Sequence, residues 1–287
     1  MSYGPDPWQQ THWDWRAAGN FIGGGAGSGL IALAPFSGAE GPWLAAAMLA
    51  GVALIGLGLL CVWAEIGRPL RALNVFFNPH TSWMTREALV GSALVPVALA
   101  AAVGAWFGSA WALAVWPAAA LALAFVYCQG RILRAARGIP TWREPMIVPL
   151  VVLTGLAEGA GLWMLLQPLQ LAARPGLLTG LAALLLARAV VWPLYRRRLA
   201  PGSSAKARAV LDQAGLALLW AGAVLPLTAL AIAPMGWLAP QATSALLMFS
   251  GLAATAAGSW FKFALITRAA FNQGFALVHL PVRGVRR

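Results

Sequence analysis

The chain of 287 residues is short of charge and almost without histidine. It has 20 basic and only 8 acidic residues, together 10% of the sequence. A soluble domain carries about 25% charged residues, so composition excludes a water-facing fold of this size. Histidine occurs three times, at His12, His80 and His279, each outside the long apolar runs. A transmembrane b-type haem needs axial ligands projecting from its spans, usually paired histidines. Their lack excludes a haem-bearing cytochrome anchor and a histidine-ligated metal site. Two cysteines, Cys61 and Cys128, are too few for a four-thiolate cluster or a disulfide framework. They read as reduced thiols in apolar surroundings.

What fills the sequence is apolar: 60% of it is hydrophobic and the mean hydropathy is +0.74. Runs long enough to cross a bilayer recur along the whole chain. They predict an all-α integral membrane protein with eight spans near 17–37, 43–64, 87–107, 110–128, 145–167, 176–195, 210–233 and 242–267. Two packed four-helix bundles in a single polytopic domain, 1–287, are expected. Tryptophans such as Trp15, Trp43, Trp63, Trp83, Trp111, Trp142 and Trp237 stand at the span ends, where interface anchors belong. The opening MSYGPDPWQQTHWDWR lacks the pattern of a cleaved signal, so the first span is expected to persist.

The formal charge of +12 would suggest nucleic acid in a soluble protein, but here the distribution of cations explains it. Seventeen of the 20 basic residues fall before span 1 or in the loops after spans 2, 4, 6 and 8. The opposite loops hold only Arg174, while Arg188 and Lys262 lie inside spans. This bias predicts cytoplasmic termini. Lys262 is near enough to its span end to snorkel.

Span 1 contains GNFIGGGAGSGL, which lacks the spacing of a nucleotide-binding loop. Gly19, Gly23 and Gly27 recur every four residues, as do Gly25 and Gly29. The favoured reading is close helix packing; room for a flat ligand is the alternative. A faint echo of GRPLRA (67–72) in GRILRA (130–135), and of TSWMTRE (81–87) in PTWRE (140–144), suggests two related hairpins.

Charge gathers in WAEIGRPLRALNVFFNPHTSWMTREAL, residues 63–89. Glu65 ends span 2, where the helix dipole disfavours an anion, so something else must compensate for it; Arg68 is one turn on. Glu87 opens span 3, where the dipole alone would favour an acid. Glu158 and Arg188 lie deep in spans 5 and 6. Buried ions cost about 2.5–3.5 kcal/mol at a helix centre, so these two either lock together or line a proton path. Asn20 and Tyr127 sit near span ends at the depth of Glu65. An apolar slot with hydrogen-bonding groups and a carboxylate suits a quinone head group.

The stretches EIGRPLRALNVFFNPHTSWMTREAL and RAARGIPTWREPMIVPL resemble the membrane anchor of DMSO reductase-type molybdoenzymes (the DmsC, NrfD and polysulfide reductase anchor superfamily). The opening WDWRAAGNFIGGGAGSGL is more similar to the polysulfide reductase branch. The resemblance implies a haem-free subunit, without clusters of its own, that binds menaquinone or ubiquinone in a bacterial inner membrane. It would pass electrons between quinone and a ferredoxin-like iron–sulfur subunit serving a molybdopterin catalytic subunit. Sulfite dehydrogenase, phenylacetyl-CoA:acceptor oxidoreductase and DMSO reductase types all fit. Glu87 matches the family's acid at the start of span 3. Glu65 falls where the DMSO reductase anchor has a histidine and the other branch an acid.

The expected site then comprises Glu65 and Glu87 as proton-handling groups, with Asn20, Arg68 and Tyr127 also binding quinone. Arg71, Arg86, Arg131, Arg134, Trp142 and Arg143 are expected to dock the partner. Rival readings are a secondary transporter using Glu158 and Arg188 at the midplane, and an inert membrane anchor.

Overall fold

A computed structural model describes residues 6–66, 69–166, 175–199, 203–272 and 274. The described chain is helical, with α1 Trp15–Ser37, α2 Gly41–Trp63, α3 Trp83–Trp106, α4 Val115–Ala135 and the short α5 Pro140–Arg143. There follow α6 Ile147–Leu166, α7 Pro175–Arg198, α8 Ala205–Leu219, α9 Leu225–Ile232 and α10 Pro240–Phe263. Eight stretches are long and apolar enough to cross a membrane, α8 and α9 sharing one of them, Ala205–Met235. The chain is thus a multi-pass membrane protein.

Local chemistry sets the helix ends. Asp14, Ser82 and Ser204 cap α1, α3 and α8 by accepting from backbone N–H groups of the first turn. The α1–α2 turn is made by Gly38 and Gly41 at φ 72° and 55°, a left-handed region where other side chains are strained. Because Ser82 caps it, α3 starts at Trp83, four residues before the expected edge. Glu87 therefore lies beyond the first turn, and the dipole does not account for it. The fourth span runs on to Ala135, past the expected end at 128, because Ile132 and Leu133 still face inward and are buried.

α1 and α6 form the centre. Their most apolar windows are 83% and 78% buried, against 28–39% for the other spans. The α1 glycines explain how they fit. A Cβ on Gly27 would lie 2.9 Å from Ile55 Cγ1 of α2, and one on Gly29 would lie 3.0 Å from the Gly159 nitrogen of α6. Small residues on two faces thus let α1 touch α2 and α6 backbone to backbone, which answers the packing alternative. α1 also contacts α4 and α10.

The span Ala205–Met235 is interrupted by a π turn at Trp220–Val224. Pro226 has no N–H to offer the Gly222 carbonyl four residues back. The Arg188 guanidinium of α7 donates to that carbonyl instead.

Hydrogen bonds tie one end of the molecule together. Gln10 N donates to the Ala270 carbonyl at 2.9 Å, and Arg16 Nη1 to the Ala64 carbonyl at 3.3 Å. Tyr195 donates to the Thr141 carbonyl at 2.7 Å, and Trp142 Nε1 to the Leu265 carbonyl at 3.1 Å. The N-terminal segment, the α2 end, α5 and the ends of α7 and α10 therefore share one face.

Candidate functional site

A cavity of about 820 Å³ opens near that face between α1, α2, α3 and α4. Its walls are apolar: Leu59 and Leu60 from α2, Val95 and Pro96 from α3, Phe125 from α4. Gly91 lets the Phe125 ring in, since a Cβ there would lie 3.1 Å from Phe125 Cε2. Leu73 and Phe76, on a 3-10 helix at Pro69–Phe77, also line it. The sequence shows charge in this segment but no helix, because it is too short to span a bilayer. Leu70 and Phe77 on it are exposed.

Both expected carboxylates, Glu65 and Glu87, line this cavity. Glu87 is buried at the polar end, where Asn20 Nδ2 donates to its Oε1 over a long 3.5 Å. Gln129 stands behind them, donating from Nε2 to the Asn20 carbonyl at 3.0 Å. Asn20 Oδ1 and Gln129 Oε1 are buried without a hydrogen-bond partner. Among the described residues, Glu87 forms no ion pair. Amides, rather than a cation, surround it. Gln129 is the functional candidate that the sequence did not reveal; a lone glutamine two residues from Tyr127 carries no visible signal.

Glu65 lies at the more open side of the cavity, in the turn after α2, half-buried beside Trp13, Trp63 and Ile66. Desolvation holds its carboxyl above the usual carboxylate range. The nearby Asp14 charge adds to that shift and Arg16 opposes it. Asp14 itself is held low by hydrogen bonds from Arg16. Arg68, the expected partner, lies outside the described residues.

Other expectations change. Tyr127 does not line the cavity: it is exposed, accepts from Arg131 Nη1 at 2.7 Å and packs edge-on to Trp83. Arg86 donates to the Pro79 and His80 carbonyls, each at 2.8 Å. Its guanidinium, like that of Arg131, lies 4.1 Å from the Trp83 ring centroid. Trp142 is 2% exposed and bonded to Leu265, so it is a core residue and not a docking group.

Lys262 does not snorkel. It is buried and pairs with Glu158, Nζ to Oε2 at 2.6 Å. Glu158 thus finds its close ion pair in α10, not in Arg188. The snorkelling expectation fails because Gly25 leaves a space beside α1 that the lysine fills; Arg188 makes no direct ion pair with Glu158 but acts on it through space.

A second cavity, of about 790 Å³, lies at the same end. Arg131, Arg134, Arg137, Arg143 and Arg198 line it with a single acid, Glu144. Arg71 is exposed on the 3-10 helix and does not belong to it. Ile132 borders the first cavity and Arg131 and Arg134 the second, so the end of α4 divides the two. Among the described residues, no group of three or more metal-ligating side chains comes together.

No curated protein matches the chain. Residues 17–244 match the family described as DMSO reductase anchor subunit (DmsC).

Proposed function

Since the chain belongs to the DMSO reductase anchor subunit family, and is thus a membrane anchor subunit of a molybdoenzyme, we propose that it is also that enzyme's quinone-reactive subunit. The carrying observation is the buried Glu87–Asn20 pair at the polar end of an apolar cavity. Ligand pockets of drug-sized molecules measure about 300–1,000 Å³ and are mostly apolar with a few placed polar groups. The cavity fits a flat quinone head group by size and lining, and the unpartnered Asn20 Oδ1 suits a hydroxyl proton.

A quinone would supply two-electron, two-proton redox chemistry there. The residues of this chain bind and move protons. Leu59, Leu60, Phe76 and Phe125 enclose the ring and keep water from it. Asn20 orients Glu87. Glu87 exchanges a proton with the ring oxygen, and Glu65, nearer the opening, exchanges it with solvent. Either direction of electron flow fits, and so do menaquinone and ubiquinone.

The ferredoxin-like iron–sulfur subunit seats on the face that carries the arginine-lined cavity, with Arg71, Arg86, Arg131, Arg134 and Arg143 turned toward it. It links this chain to the molybdopterin subunit. The positive-inside bias supports a cytoplasmic placement of that face and both termini in a bacterial inner membrane. Glu158 and Arg188 line neither large cavity, so a transport role gains no support.

The test is labelling of the assembled complex with a photoreactive short-chain naphthoquinone. Adducts should map to cavity residues such as Phe76 and Met84, and excess unlabelled quinone should suppress them. Adducts confined to the lipid-facing surface of α7 or α10 would reject the site.

A further inference from the structure

The Glu158–Lys262 pair lies outside the cavity, yet it bears on the helix that shapes it. Lys262 Nζ donates not only to Glu158 but also to the Phe21 carbonyl of α1, at 2.7 Å. The neighbouring carbonyl, of Asn20, accepts from Gln129 of α4 at 3.0 Å. Asn20 and Phe21 both line the cavity. Two consecutive carbonyls of one helical turn are therefore gripped by side chains from two other helices.

The sequence of α1 makes this grip possible and necessary. A Cβ on Gly24 would land on Gln129 Nε2, and a Cβ on Gly25 would land on Lys262 Nζ. These two glycines are the windows through which the donors reach the backbone. They also weaken the helix, because each glycine costs about 1 kcal/mol of helix propensity relative to alanine. Five of the seven residues from 23 to 29 are glycine. A turn followed by so soft a segment is poorly fixed by its own hydrogen bonds. A buried ammonium bonded to a carbonyl is a strong, charge-assisted brace, and Glu158 holds the ammonium in place.

We propose that Lys262, clamped by Glu158, and Gln129 are positioning residues that fix the Asn20–Phe21 turn of α1 and so set the polar end of the quinone cavity. The inference rests on the quinone reading of that cavity. Neither Lys262 nor Glu158 touches the ligand. Their effect passes through the α1 backbone to Asn20, and from Asn20 to Glu87.

The test uses the full complex in lipid nanodiscs and the double variant Lys262→Met/Glu158→Gln. Exchanging a buried ion pair for neutral side chains of similar volume is often neutral for stability, and Arg188, on which Glu158 also acts, keeps its bond to the Gly222 carbonyl, so the variant should assemble and keep full activity with a soluble dye. The expected result is a tenfold rise in KM for a short-chain quinone with kcat changed less than twofold. Backbone amides of residues 19–25 should exchange faster with deuterium. Gln129→Leu, which leaves the ion pair untouched, and Gly25→Ala, which pushes the ammonium away from the Phe21 carbonyl without removing either charge, should move both readouts the same way. They decide the matter if the double variant fails to assemble.

Unchanged KM and unchanged exchange in assembled variants would overturn the inference. The quinone reading is separated by a binding control, the affinity of wild type and Glu87→Gln for the same naphthoquinone. A wild type that does not bind overturns both. A wild type that binds, with Glu87→Gln impaired and the brace variants normal, overturns the brace alone.

Discussion

Glu87 and Glu158 are both buried carboxylates beside α1, and their surroundings could hardly differ more. Glu158 has an ammonium at 2.6 Å and a hydroxyl, that of Ser259, at 3.5 Å. Glu87 has the side-chain amides of Asn20, at 3.5 Å, and Gln129, and a cavity in front. A carboxylate saturated by a cation is held in one state. A carboxyl facing amides and open volume is free to bind and release a proton. The residue type is the same; the partner decides whether it is a fastener or a reactive group.

The largest expected effect would come from breaking the fastener on one side only. Lys262→Met leaves Glu158 buried without its ammonium and with only the more distant Arg188 charge acting on it, a loss of about 3–5 kcal/mol. Thermal denaturation in detergent should show a markedly lower Tm and poor assembly, and adding Glu158→Gln should restore most of it. If the single and double variants melted alike, the contrast between the two carboxylates would collapse.

Next in size is the reactive side. Glu87→Gln keeps shape and hydrogen bonding but removes the exchangeable carboxyl proton. General acid–base groups contribute about 10²–10⁴-fold, so quinone turnover should fall at least 100-fold. Dye-linked activity and Tm should stay near wild type. A fall in Tm like that of Lys262→Met would make Glu87 a second fastener.

The smallest effect belongs to Glu65, whose carboxyl is held above the ordinary value of 4.5 chiefly by desolvation. Because the folded pKa is raised, its contribution to stability is present below the unfolded pKa and lost as pH rises through the raised value. Being half-exposed, it should move Tm little. In Glu65→Gln, quinone turnover should fall only several-fold and lose an inflection on the acidic side of its pH profile. An unaltered profile would restrict proton exchange to Glu87.

Much of the architecture was legible in the sequence because hydropathy and length alone require eight spans once water is excluded. The α1 glycines were legible as well, since a four-residue repeat of small side chains has one main structural use. Of the candidate site, Asn20 was singled out by sharing the depth of Glu65, and Glu87 as the acid expected to open span 3. Gln129 and the roles of Tyr127, Trp142 and Lys262 were not. Sequence depth does not say which side of a helix a residue occupies.

Sequence therefore determined the membrane, the number of crossings and the backbone contacts of α1, because these follow from transfer free energy and side-chain size, both local properties. Tertiary structure alone decided which buried acid meets a cation and which meets a cavity. Lys262 and Glu158 are 104 residues apart in sequence, Asn20 and Glu87 67 apart, and only the rotation of α1, α3, α6 and α10 about their axes brings each pair together.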